Sequence, residues 1–170
     1  MEKIPVCAIT GHRFSSLPFG SNESDPLCQA LREALREHFT ELITHHGTRE
    51  FRCGMALGSD QIAAEIIITL KRVYPSILLH CFVPCREQYL KWSKTQIACY
   101  RNILQFADEI TQTSETYTKG CMQKRNRKML EGADILLAVY IDKKRGGTKQ
   151  TIDYAQKTGI PTILLDPTKI

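Results

Sequence analysis

Apolar and polar residues fall in alternating blocks along this 170-residue chain. The run "IPVCAIT" (4–10), closed by Gly11, has the length and continuity of a buried strand. Residues 24–46 place Leu27, Leu31, Leu35, Phe39, Leu42 and Ile43 on one helical stripe, with Ser24 or Asp25 as cap and Pro26 in the first turn. A strand follows over 50–56, "EFRCGMA", then a helix through "QIAAEIIITLKRVY" and a strand over 76–84 ended by proline. Residues 86–106 hold one or two helices, with Trp92 near a break. A polar strand over 108–113, a Lys- and Arg-rich helix over 118–132, a strand over 133–140, a helix over 148–158 and a strand over 160–165 complete the pattern.

Strand–helix–strand units repeated in this way predict an α/β, Rossmann-like doubly wound fold, a mostly parallel sheet with helices on both faces. The length fits a single domain over 1–170. In such sheets ligands bind beyond the carboxyl ends of the strands, near the point where the winding direction reverses. The turns after the first, second, third and fifth strands are therefore where chemistry is expected.

Composition narrows the classes. Apolar residues make up 42% and charged residues 24%, which excludes a mainly disordered chain. No apolar run reaches the roughly 20 residues of a membrane span, and the N-terminus lacks the pattern of a signal peptide. Seven scattered cysteines without a CxxC pair read as small buried hydrophobes in a reducing cytoplasm, with no metal site and no cofactor expected. The net charge of +5 suits a small anionic ligand and also a weak attraction to nucleic acid.

After the first strand, "TGHRF" sets Gly11 at a sharp turn and His12 and Arg13 at the sheet edge, where an arginine fork suits phosphate or carboxylate. The plain alternative is a solvated polar loop. After the second strand, "GMALGSDQIAAE" offers a loop between Gly54 and Gly58, with Ser59 or Asp60 as helix cap. Asp60 would repel a docked phosphate but would accept hydrogen bonds from a ribose or a base, and Glu65 reads as a surface or partner charge. The spacing is not a full GxGxxG, so this turn is a weak signal alone. After the fifth strand, "RGGTKQTIDYA" brings Gly146 and Gly147 to a helix start, with Thr148 and Thr151 supplying hydroxyls and Lys143, Lys144 and Arg145 raising the local potential. Unpaired amides at a helix N-terminus favour an anion. In "KRNRK" (124–128), Arg125 is a phosphate-clamp candidate, while Arg127 and Lys128 face solvent. Tyr89 and Trp92 either stack on a base or anchor packing.

"AITGHRF" (8–14), "GSDQIAAE" (58–65), "FVPCREQYLKW" (82–92), Tyr100–Ile103–Leu104–Ala107–Asp108, "QKRN" (123–126) and "EGADILLAVY" (131–140) occur in an order and spacing that resemble the YpsA-like family of the SLOG superfamily. That superfamily includes the cytokinin-activating LOG enzymes and the DNA-processing protein DprA. The resemblance implies a Rossmann-like domain with a nucleotide-type pocket, and homodimers formed through helices beside the cleft. LOG enzymes cleave the N-glycosidic bond of a nucleoside monophosphate, using an MxxRxxxM helix followed by a PGGxGTxxE turn. "MQKRNRKM" (122–129) matches the first, with Arg125 at the active-site arginine. "RGGT" departs from the second: it lacks the proline, is shorter, and places Thr151 where the glutamate belongs. A hydroxyl does not stabilise the positive charge that builds on the sugar, a loss of roughly 10²–10⁴-fold for one acid–base group.

Three functions follow, in order. The first is binding of a nucleotide or nucleotide-derived ligand as a regulatory or sensor module, with Gly11, His12, Arg13, Gly58, Ser59, Asp60, Trp92, Arg125, Gly146, Gly147 and Thr148 as ligand-binding candidates and a protein partner for the module. The second is an N-glycosidic or phosphoribosyl hydrolase, with Arg125 and Asp60 or Asp153 catalytic. The third is single-stranded DNA binding as in DprA, ranked last because the cations are spread out and aromatics are only 8%.

Overall fold

The structure is a computed structural model that describes residues 5–142 and 145–170. Among the described residues six strands form one sheet in the order β4-β3-β2-β1-β5-β6. They are β1 (Val6–Gly11), β2 (Glu50–Cys53), β3 (Leu78–Val83), β4 (Glu109–Gln112), β5 (Ile135–Val139) and β6 (Thr162–Leu165). Every neighbouring pair is parallel, which makes the sheet wholly rather than mostly parallel. The helices are α1 (Pro26–His46), α2 (Ser59–Leu70), α3 (Lys94–Phe106), α4 (Cys121–Leu130) and α5 (Gly147–Lys157). No helix among the described residues is long and apolar enough to cross a membrane.

Period-two alternation divides the strands between two cores. Along β1, Cys7 and Ile9 join the larger core with the buried stripes of α1 and α2, whereas Ala8 joins a smaller one with Met129 and Leu130 of α4 and Ile152 and Ala155 of α5. The chain winds outward from β1 to β4 through α1, α2 and α3. It then returns to the other side of β1 for β5 and β6, through α4 and α5.

Local chemistry sets the element ends. Asp25 caps α1, its Oδ1 accepting from Leu27 N at 2.8 Å, with Pro26 at the first position. A capping box between Ser93 and Gln96 starts α3. The stretch 86–92 before it forms turns, so one helix stands where one or two were expected. β2 stops at Cys53, three residues short of the expected 56, because the chain turns at Gly54 and Met55, the latter at φ 62°.

Two glycines let α2 meet the end of β1. A Cβ on Gly11 would lie 2.5 Å from Ser59 Cβ, and Gly58, at φ 103°, would meet the backbone of Phe14, His12 and Arg13 at 2.7–2.9 Å. Because Gly58 is blocked by backbone and also sits at positive φ, Gly58→Ala should destabilise the fold by about 2 kcal/mol or more. Urea denaturation measures this as a lower midpoint. An unchanged midpoint would show that the crossing tolerates a side chain.

Candidate functional site

The winding reverses between β1 and β5, and a cleft of about 230 Å³ opens there beyond the carboxyl ends of both strands. Its walls come from the β1 turn, the start of α2, the inner face of α4 and the start of α5. Gly11, His12, Arg13 and Asp60 line it on one side. Arg125, Arg145, Gly146, Gly147 and Thr148 line it on the other.

Arg125 is the most buried charge of the cleft, at 4% exposure. Its Nη1 donates to Gly54 O, and its Nε donates to Asn126 Oδ1 at 2.7 Å. Gly54 leaves room for this: a Cβ there would lie 3.0 Å from Arg125 Cζ and 3.0 Å from Asp60 Oδ2. Asp60 is 6% exposed. Its Oδ2 accepts from Ala56 N at 3.1 Å, while its Oδ1 is buried with no hydrogen-bond partner among the described residues. Burial raises the Asp60 pKa, opposed by Arg125, the Ala56 amide and Arg13. Burial also lowers the Arg125 pKa, which Asp60 counteracts and Arg13 reinforces. The two arginines thus act on one carboxylate from a common cleft. The backbone carbonyl of Arg13 accepts from Ser16 N at 2.9 Å, but its exposed guanidinium makes no hydrogen bond or ion pair to any described residue.

Several expected site residues serve the scaffold. Ser59 is fully buried, and both its Oγ and its N–H donate to His12 O, at 2.8 and 3.1 Å. Neither Ser59 nor Asp60 caps α2, whose N-cap is Gly58, and Gly58 packs behind the β1 turn rather than on the cleft. Trp92 is not among the cleft-lining residues. It packs edge-on against Tyr100 with ring centroids 5.3 Å apart, and Tyr89 lies tilted by 40° against the same ring at 5.7 Å. Thr151 is buried with its hydroxyl donating to Gly147 O at 2.9 Å, also away from the cleft. Asp153 pairs with Lys149 at 2.9 Å, and Glu65 pairs with Arg32 at 2.9 Å. Lys143 and Lys144 lie outside the described residues.

His12 is 8% exposed, and its Nε2 faces the backbone of Ile141. The ring nitrogen accepts from Ile141 N at 2.9 Å when it carries no proton and donates to Ile141 O at 3.2 Å when it does. Its ring also lies 5.4 Å from that of Tyr140. The histidine therefore ties the β1 turn to the segment after β5. Among the described residues the start of α5 has no side-chain cap, and a Cβ on Gly146 or Gly147 would meet nothing within 4 Å, so an uncapped first turn borders the cleft. Asn126 lines the cleft and steadies Arg125; it is a role the sequence signals only as the last letter of "QKRN". Among the described residues no His, Cys, Asp and Glu group is arranged to hold a metal.

The family model described as the YspA SLOG family matches residues 7–168. An uncharacterised SPbeta prophage-derived protein, YoqJ, of Bacillus subtilis (strain 168) is 33% identical over 79% of this chain and 85% of its own length. A UPF0398 protein of Bacillus thuringiensis (strain Al Hakam) is 30% identical over 91% of this chain and 84% of its own length. DNA processing protein A from Helicobacter pylori, a structure reported for its single-stranded DNA binding mode, shares the fold with a TM-score of 0.61. It is 20% identical, with 96% of this chain and 69% of that chain covered.

The raised Asp60 pKa gives a signed expectation. A carboxyl that holds its proton more tightly when folded favours folding fully below its ordinary 3.8, and loses that contribution as pH rises through the raised value. The stability of the wild-type protein relative to Asp60→Asn should therefore decline with rising pH across that interval and then level off. Urea titrations at a series of pH values measure the difference; a gap that widens with pH would place the carboxyl below 3.8 instead.

Proposed function

The chain belongs to the YspA SLOG family, and from that premise and the cleft we propose that it binds a nucleotide or nucleotide-derived ligand at the β1–β5 reversal, as a sensor or regulatory module. One observation carries the reading. An exposed guanidinium without a described partner (Arg13) shares a cleft with a buried carboxylate oxygen without a donor, Asp60 Oδ1. Such a site is completed by a molecule that carries an anion at one place and hydroxyl or amino donors at another. Phosphate fits the first, between Arg13, Arg145 and the uncapped first turn of α5. A sugar hydroxyl or base amine fits the second. Arg125, bonded to Gly54 O and Asn126, serves as a brace and a source of positive potential.

Turnover of a nucleoside monophosphate is the second reading, favoured by the same lone oxygen of Asp60 beside Arg125. It ranks below binding because Thr151 turns its hydroxyl into its own helix, leaving no carboxylate at that position. Single-stranded DNA ranks third, since no Phe, Tyr or Trp among the described residues lines the cleft.

Calorimetry against a panel of nucleoside monophosphates, nucleotide sugars and dinucleotides should find a binder that Arg13→Ala weakens by about 10- to 100-fold, the range of one charge-assisted hydrogen bond. Thermal unfolding of that variant should be unchanged, because the side chain is exposed. A panel in which nothing binds would remove the proposal. Release of free base, seen by chromatography and abolished by Asp60→Asn, would move hydrolysis ahead of it.

A further inference from the structure

We propose a second, independent site: the groove between β4 and α4 docks an acidic, extended segment of a partner protein, which adds as a strand to the β4 edge. The groove, about 770 Å³, is the more spacious of the two described here. α4 packs on β3, and beyond it the sheet ends in β4, whose single neighbour among the described strands is β3. The groove runs from Thr111 and Gln112 to Lys119, Lys124, Arg127 and Lys128.

Three observations select the occupant. First, the edge is open. Thr113 N–H donates to Val83 O at 3.0 Å, so by two-residue alternation Thr111 and Glu109 also face β3, and Ile110 and Gln112 turn their N–H and C=O outward. An unpaired edge of this kind is a template for another strand. Second, charge differs between the two faces. On the face aligned with Phe82 stand the four cations, all exposed, with Glu131 already paired to Lys128 at 2.9 Å. On the opposite face, aligned with Cys81, Ile110 is 51% exposed. A strand alternating acidic and apolar residues satisfies both faces at once. Third, no aromatic residue among the described ones lines the groove, so bases of a single-stranded nucleic acid would find no stacking surface there.

The test is fluorescence anisotropy of a labelled peptide of about eight residues, one strand length, that alternates glutamate and valine. Lys124→Glu combined with Lys128→Glu, on the exposed side of α4, should weaken binding about tenfold, the scale of losing two exposed charge pairs. The same peptide methylated on alternate backbone nitrogens keeps its charge but cannot complete a ladder, and should not bind. Arg13→Ala should leave peptide affinity untouched, which separates this site from the cleft. The proposal is overturned if the peptide does not bind, if the methylated peptide binds equally well, or if a short oligothymidylate binds more tightly. Self-association of the protein that the double charge reversal abolishes would also overturn it, in favour of a second copy.

Discussion

A guanidinium withdrawn from water at the end of a parallel sheet must be satisfied by fixed neighbours, and Arg125 imposes that condition on this molecule. Its partners come from different elements: Gly54 O from the turn after β2, Asn126 from its own helix, and the field of Asp60 from the start of α2. Breaking such an arrangement by removing one member leaves a charge stranded in a medium of low polarity, which costs far more than the contact contributes. The consequence is rigidity where the cleft needs it. α4 cannot shift along the sheet without abandoning the turn that also positions Asp60, so the cleft floor is set before any ligand arrives.

The sheet frames this floor through its winding. Departure from β1 in two directions leaves its carboxyl end and that of β5 side by side without a helix crossing between them. The gap is bounded by the β1 turn, which Ser59 ties to α2 and His12 ties to the chain after β5. The same winding places α4 and α5 on one face and α1, α2 and α3 on the other. That unequal cover leaves the α4 flank and the β4 edge accessible.

Architecture was largely legible from periodicity, because long apolar blocks and helical stripes report burial directly. Leu31, Leu35 and Phe39 are buried as their spacing implies. Element ends were less legible where backbone geometry intervened, as at Met55. Within the candidate site, glycine turns and arginines were visible as residue types, and the structure brings Arg13, Asp60 and Arg125 to one cleft. What the sequence did not show was which polar group is consumed internally. Ser59 and Thr151 look alike as helix-start hydroxyls, yet each donates to a backbone carbonyl. Trp92 was open between base stacking and a packing anchor, and its contact with Tyr100, beyond the range of local pattern, decides for packing. Distances between segments far apart in the chain decide these roles.

Gly54 carries a consequence for descent. A methyl group there would sit at 3.0 Å from both a guanidinium carbon and a carboxylate oxygen. Positions 54, 60 and 125 consequently bear on one another: a side chain at the first makes the guanidinium or the carboxylate give way by a few tenths of an ångström, which disturbs the counter-charge that opposes the rise in the Asp60 pKa. In descent the three positions are thus expected to change together more often than separately.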